Sequence, residues 1–266
     1  MMFVGITTFV VVGFVLYKHF SWKALPWPAH AMKPPRYQGH RGFWKGGAKE
    51  NTMDAFKAAA QKGLEMVELD VRLSKDLIPV VFHDKDLRRL GNSAKFVFEV
   101  TAAEIKERAK APTLEEVLTS KEVPPKINIE IKTSAILDGR LEQKVAELIL
   151  KHKAEDRVLF SSFNPLALWR LSYHLPQVPR ALLASKDPED PENKIYLRHL
   201  WLAPYVRVHA LHLDHEFVSV NEVKRWMKRK VPVALWTVNN KEKALAYLEA
   251  GALSIISDTL GGSQDS

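Results

Sequence analysis

The segment Gly63-Leu-Glu-Met-Val-Glu-Leu-Asp-Val-Arg-Leu-Ser-Lys-Asp-Leu-Ile-Pro-Val-Val-Phe-His-Asp84 reads as an apolar strand, a polar turn and a second apolar strand. Glu68 and Asp70 stand two residues apart, which in a strand puts both on one face. Two carboxylates in an otherwise apolar strand are costly to desolvate unless a cation or another partner sits with them. Ser74-Lys75-Asp76-Leu77 reads as the turn, with Lys75 and Asp76 central. In that register His83 faces Glu68, which sets an imidazole beside an acidic metal pocket. Leu77 stands where such a turn prefers glycine, and a slip of one residue would move His83 to the other face.

Outward from this segment, short apolar runs alternate with helical ones. The strands expected are Tyr37–Gly42, Met66–Val71, Ile127–Ile131, Val158–Ser162, Arg180–Ala184, Val208–Leu213, Val233–Val238 and Leu253–Ser257. The clearest helices are Thr52–Lys62, Arg140–Lys151, Leu166–His174, Val220–Lys230 and Glu242–Ala250, with Gly63 and Gly251 as stops after the first and the last. Eight strands with intervening helices fit a (β/α)8 barrel of the TIM type. A doubly wound open sheet would carry a glycine-rich phosphate loop after its first strand, and none is present. Pro79–Asp84 follows Met66–Val71 too closely for a parallel crossover, so it is expected as a hairpin arm outside the barrel count.

A chain of 266 residues with 46% hydrophobic residues supports one large domain or two small ones. A net charge of +8 favours anionic substrates, membrane surfaces or nucleic acid without choosing among them. With no cysteine, disulfides, thiolate zinc sites and cysteine nucleophiles are excluded. Residues 1–20 are expected as a hydrophobic anchor, 21–36 as a Pro/Trp-rich linker, 37–260 as the barrel and 261–266 as a polar tail. Met2–Tyr17 is uncharged and mostly apolar. As a helix it spans ~24 Å, short of a ~30 Å hydrocarbon core. Lys18 and Lys23 can snorkel, and Tyr17, Trp22 and Trp27 suit the interface. A membrane anchor, a cleaved signal peptide and a buried core helix compete for this run, and the anchor is preferred because no basic residue precedes it. Lys18, Lys23, Lys33 and Arg36 all follow the run, which favours a cytoplasmic barrel.

In a barrel of this kind, active-site residues gather at the carboxyl ends of the strands. Those ends offer His40 and Arg41, Glu68 and Asp70, then Glu130 and Lys132, with His83 returning on the hairpin. Singly, each has an ordinary explanation as an ion-pair or strand-end residue. Together they supply hard oxygen ligands for Mg²⁺ or Ca²⁺, cations for a phosphate, and two imidazoles for acid–base work.

His40-Arg-Gly42, Glu50-Asn-Thr52, Glu68-Leu-Asp70, Pro79-Val-Val-Phe-His-Asp84, Pro112-Thr-Leu-Glu-Glu-Val-Leu118, Asn128-Ile-Glu-Ile-Lys132, Ser162-Phe-Asn164, Trp236-Thr-Val-Asn239 and Ile255-Ile-Ser-Asp258 together resemble the glycerophosphodiester phosphodiesterase family. The resemblance runs from about Tyr37 to Leu260. It implies a barrel, metal dependence and a phosphodiester substrate. It makes Glu68, Asp70 and Glu130 ligands of one divalent cation and His40 and His83 the acid–base pair. Arg41 and Lys132 would hold the phosphate, Glu50 and Asn51 would support the site, and Trp236 would line the leaving-group pocket. Many members carry a longer insertion before the segment matching Pro112–Thr113; its shortness here implies a more open mouth. Soluble glycerophosphodiesters and lysophospholipids are the two substrate classes expected, the second making the enzyme lysophospholipase D-like. The alternative is a non-catalytic membrane-surface protein that uses the basic segment Asn221–Lys230. No nucleic-acid module is recognisable, and no nucleic-acid partner is expected.

Overall fold

The computed structural model describes residues 13–188 and 194–262. Among these residues nine strands form one sheet: β1 (Tyr37–Gly39), β2 (Met66–Leu73), β3 (Pro79–Val81), β4 (Lys126–Ile131), β5 (Val158–Ser162), β6 (Arg180–Ala184), β7 (Ala210–Asp214), β8 (Val233–Trp236) and β9 (Ser254–Ser257). Eight are parallel. β1 pairs with β9 along Tyr37–Gly39 and with β2 at Gly39–Val67, which closes the cylinder. The ninth, β3, is antiparallel to the upper half of β2 and lies outside the barrel count, as its short connection requires.

The strands read as near-continuous apolar runs because both faces are covered. Alternate residues of β2, β4 and β5 such as Val67, Leu69, Ile127, Ile129 and Phe160 are fully buried against helices including Met53–Gln61 and Arg140–Lys151. Thr52 caps the first of these helices by accepting from the Ala55 amide at 3.3 Å. That helix ends at Gly63, with φ +85°, and Lys241–Glu249 ends at Gly251, with φ +94°. The linker wraps the amino ends of the strands. Trp27 and Met32 pack on Met66, Leu159, Ala181 and Ala210, and the Pro35 carbonyl accepts from Ser254 Oγ at 2.6 Å.

One expectation is corrected. The hairpin register is shifted by one: Val71 faces Val81 and Leu73 faces Pro79, so Asp70 rather than Leu69 lies across from Phe82, whose amide donates to its carbonyl at 2.9 Å. Lys75 and Asp76 are central in the turn, with the Leu77 amide donating to Ser74 O at 3.0 Å, but Leu77 adds a third loop residue at φ +59°. The expected amino-terminal anchor spans residues 1–20. Its first twelve residues, like the last four of the tail, lie outside the described residues. Residues 13–21 are helical, and among the described residues no helix is long and apolar enough to cross a membrane.

Candidate active site

The mouth is built from the carboxyl ends of β1, β2 and β4. Asp70 and Glu130 are register neighbours on adjacent strands, and Glu68 is one step below on the same face of β2. One oxygen from each of Glu68, Asp70 and Glu130 lies within 4.8 Å of the others, and all three residues are buried. Lys132 Nζ stands 2.8 Å from Glu130 and 3.5 Å from Asp70, while Arg41 Nε stands 3.4 Å from Asp70. Asn51 completes the cradle by donating Nδ2 to Asp70 at 2.7 Å.

Charge is distributed unevenly over the triad. Burial works against ionised Asp70, but His83, Lys132 and Arg41 outweigh it and hold the carboxyl below its ordinary value. Glu68 receives the Arg41 backbone amide, at 3.0 Å, and its burial beside Asp70 and Glu130 pushes its carboxyl well above the ordinary range. Three hard oxygen donors converging on one point form a donor set that suits a cation. The triad could hold a metal ion.

Arg41 reaches this position because the chain turns back at Gly42, whose φ is +89°. A Cβ there would lie 2.8 Å from the carbonyl carbon of Ala55, so only glycine allows the loop to close on the helix. Arg41 Nη1 then meets Glu50 at 2.9 Å. Glu50 is gripped from the other side by Arg89, at 2.6 and 3.0 Å, and Arg89 also holds Asp84 at 2.7 Å. Burial opposes the charge on Glu50, but Arg89 and Arg41 keep its carboxyl below the usual value.

Each histidine is held by a carboxylate. His40 Nδ1 lies 2.7 Å from Asp258, and His83 Nδ1 lies 2.8 Å from Asp84. An ionised carboxylate only accepts, so in both rings Nδ1 carries the proton and Nε2 is left as the working nitrogen. Asp258 is itself fixed by Asn239 Nδ2 at 2.9 Å, Trp44 Nε1 at 3.2 Å and Lys45 at 3.2 Å. Burial lowers the pKa of His40 although the bond to Asp258 raises it.

His40, Arg41, Glu68, His83, Glu130, Lys132 and Trp236, all expected at one site, line a single cavity of about 220 Å³. Asp70, Glu50 and Asn51 stand behind it. Phe163 and Trp236 form its far wall, edge to face at 5.7 Å. Sequence reasoning gave no role to Asp258, Asp84, Arg89 or the polar floor. In that floor Ser161 Oγ donates to Asn128 at 2.9 Å, Asn128 Nδ2 to Gln38 at 3.2 Å, and Gln38 Nε2 to Ser254 Oγ at 3.1 Å. His212, also lining the cavity, is fully buried with both ring nitrogens unpartnered, and burial pushes its pKa down to about 3. The signal for Asp84 was its adjacency to His83, and that for Asp258 its position just after the last strand. Arg89 carried none.

Above β2 and β3, residues 84–111 fold into a small cluster of their own, with Phe82, Leu87, Val97 and Ile105 buried together.

Comparison with known proteins agrees with this geometry. Residues 40–261 match the sequence profile of the Glycerophosphoryl diester phosphodiesterase family. A glycerophosphodiester phosphodiesterase of Caldanaerobacter subterraneus subsp. tengcongensis is 30% identical over 232 residues, covering 82% of this chain and 92% of the relative. A phosphodiesterase of Oleispira antarctica, solved in complex with the product sn-glycerol-3-phosphate, superposes with a TM-score of 0.72 at 28% identity, covering 85% of this chain and 93% of that one. A lysophospholipase D of Rattus norvegicus is 24% identical, covering 94% of this chain and 91% of the relative.

Proposed function

The chain belongs to the glycerophosphoryl diester phosphodiesterase family and is a phosphoric diester hydrolase that cleaves glycerophosphodiesters, and from that premise we propose how its own residues perform the reaction and on which substrates. The observation that carries the reading is one cavity lined by two carboxylate-held imidazoles beside a buried triad of acids.

Glu68, Asp70 and Glu130 would hold one divalent cation, Mg²⁺ or Ca²⁺, which would supply Lewis-acid polarisation of the phosphate. Arg41 and Lys132 already lean on the same acids and are placed to take the remaining phosphate oxygens, where charge grows in the transition state. Glu50 and Arg89 keep the Arg41 guanidinium aimed, and Asn51 keeps Asp70 aimed. One imidazole Nε2 removes a proton from the nucleophile, either water or the neighbouring glycerol hydroxyl. The other protonates the leaving oxygen as the phosphorus–oxygen bond breaks. Asp258 and Asp84 stabilise whichever ring becomes positive. Trp236 and Phe163 line the side that receives the leaving alcohol.

Two substrate classes suit this site. Soluble glycerophosphodiesters yield an alcohol and glycerol phosphate. Lysophospholipids yield the same alcohol and lysophosphatidate, and the lysophospholipase D relative supports this second class. The apolar run Met2–Tyr17 serves as a membrane anchor, with the barrel on the cytoplasmic side, supported by the lysines and arginine that follow the run.

The deciding experiment gives purified protein glycerophosphocholine and lysophosphatidylcholine, before and after chelation and on return of Mg²⁺ or Ca²⁺. Cleavage of at least one substrate should vanish with chelator and return with metal. Metal-reversible cleavage of neither would leave the non-catalytic membrane-surface reading, which the exposed cations Lys224, Arg225, Lys228 and Lys230 would then support.

A further inference from the structure

The connection between β6 and β7 is long for a barrel, and it leaves Ile195, Trp201 and Tyr205 about half exposed, at 60, 50 and 47%. Beside it opens a second cavity of about 230 Å³, separate from the catalytic one. Its walls come from three distant stretches: Leu200 of this connection, Trp226 of the helix Val220–Lys228, and Phe20 and Trp22 of the amino-terminal segment. Trp22 meets Trp226 edge to face at 6.4 Å. Ser185 and Phe217, just past the carboxyl ends of β6 and β7, form its upper edge, so the cavity reaches the same rim as the catalytic mouth.

Among the described residues at its wall, lysine and arginine outnumber the acids, three to two. Of the acids at its wall, Glu222 is paired with Lys186 at 3.2 Å and Asp214 accepts from Ser185 at 2.8 Å. Arg229 donates to the carbonyls of Phe20 and His19 at 3.1 and 3.3 Å and lies 4.7 Å over the Trp226 ring. Arg198 donates to the Pro188 carbonyl at 3.1 Å. Among the described residues neither arginine meets a carboxylate, and the same holds for the exposed Lys224, Arg225, Lys228 and Lys230 of the adjoining helix. Exposed aromatic rings beside a helix of exposed cations match the interface of an anionic bilayer, where rings sit at headgroup level and each lysine or arginine adds attraction. The apolar run leads into the same patch: Phe14, Leu16, Tyr17 and Phe20 are exposed on residues 13–21, and the twelve residues before them carry no charge.

We propose that this surface docks the barrel on an anionic lipid bilayer, with one acyl chain in the cavity between Trp22, Trp226 and Leu200 and lipid phosphates on Arg198, Arg229 and the basic helix. The apolar run tethers; this surface orients, and it brings the rim of the mouth to the lipid. The proposal stands apart from the catalytic reading, and its test does not use activity.

The absence of cysteine makes single-site labelling of the full chain direct. Trp201→Cys carries an environment-sensitive fluorophore, and Lys121→Cys, exposed in the turn ahead of β4, carries the control. Each protein is bound to vesicles of brominated phosphatidylcholine with or without phosphatidylglycerol. The label at 201 should be quenched on the anionic vesicles and the label at 121 should not. Arg225→Glu and Lys228→Glu, both at exposed positions that leave the core intact, should each weaken that quenching by about fivefold. An unquenched label at 201 on vesicle-bound protein overturns the proposal, as does equal quenching on neutral vesicles. A signal at 201 that needs no brominated lipid and grows with protein concentration assigns the face to a second copy of the chain and overturns it too.

Discussion

The smallest unit of this site is an imidazole with its proton fixed on one nitrogen. Asp258 and Asp84 do that for His40 and His83, at 2.7 and 2.8 Å. Replacing either histidine with alanine should lower turnover by at least ~100-fold with the fold intact, as read by initial rates and circular dichroism. Near-normal rates in one variant remove that residue from the pair. Asp258→Asn should cost at least ~10-fold in turnover, because the amide no longer enforces the tautomer. It should also move the His40 limb of the pH–rate profile to lower pH, since the lost carboxylate had been raising that ring's pKa. An unmoved limb separates Asp258 from His40.

Glu68 makes a second prediction at this scale. Its folded pKa is raised, so without a cation the folded state holds a proton that the unfolded chain releases. The associated stability is fully present below the ordinary glutamate pKa and is lost as pH rises through the raised one. Chelated protein should therefore lose melting temperature as pH climbs above the ordinary glutamate range, and Glu68→Gln should flatten that slope. The lowered Asp70 titrates below this window and leaves the sign unchanged. A slope that is the same in both proteins would assign the proton elsewhere.

Among the elements, the β2–β3 hairpin shows most clearly how local chemistry and placement separate. Leu77 holds φ +59°, a left-handed conformation that costs a non-glycine residue roughly 1–2 kcal/mol. Leu77→Gly should stabilise the protein by about 1 kcal/mol or less, with unchanged kinetics, in denaturant melts. A loss of stability would show that the partly exposed leucine side chain packs more than its exposure of 37% indicates. The extra loop residue shifts the register, yet His83 still reaches the mouth. The strand ends at Val81, and the two residues beyond it are free of the pleat that would have turned the ring away. The Pro-rich linker is the opposite case. Its prolines forbid a helix, and it does its work as an irregular cover for the amino ends of the strands.

At the scale of the whole molecule, closure of the barrel brings together residues from both ends of the chain. His40, just past the first strand, meets Asp258 after the last because β1 pairs with β9. Glu130 meets Asp70 because β4, not β3, is the parallel neighbour of β2. Loss of the closing pair should thus disable catalysis before it unfolds the core. Gly39, paired with Val67 and Ser257, tests this: a Cβ there would lie 2.9 Å from the Gly42 carbonyl oxygen. Gly39→Val should abolish metal-dependent turnover while most of the far-UV dichroism remains, and full turnover in that variant would show that the mouth tolerates an opened seam.

Periodicity and punctuation decided the elements, since apolar runs of strand length and glycine stops are local properties of a chain. The acids, imidazoles and cations were legible for the same reason: their types and spacing state which chemistry is available. Which carboxylate holds which histidine, that Arg89 braces Glu50, that Gln38, Asn128 and Ser161 form a polar floor, and that Trp22 closes a cavity with Trp226 were decided only in three dimensions. Apart from His83 and its neighbour Asp84, those contacts join segments far apart along the chain, a separation that carries no local signal, and those on the strands depend on a register that a single extra turn residue is enough to change.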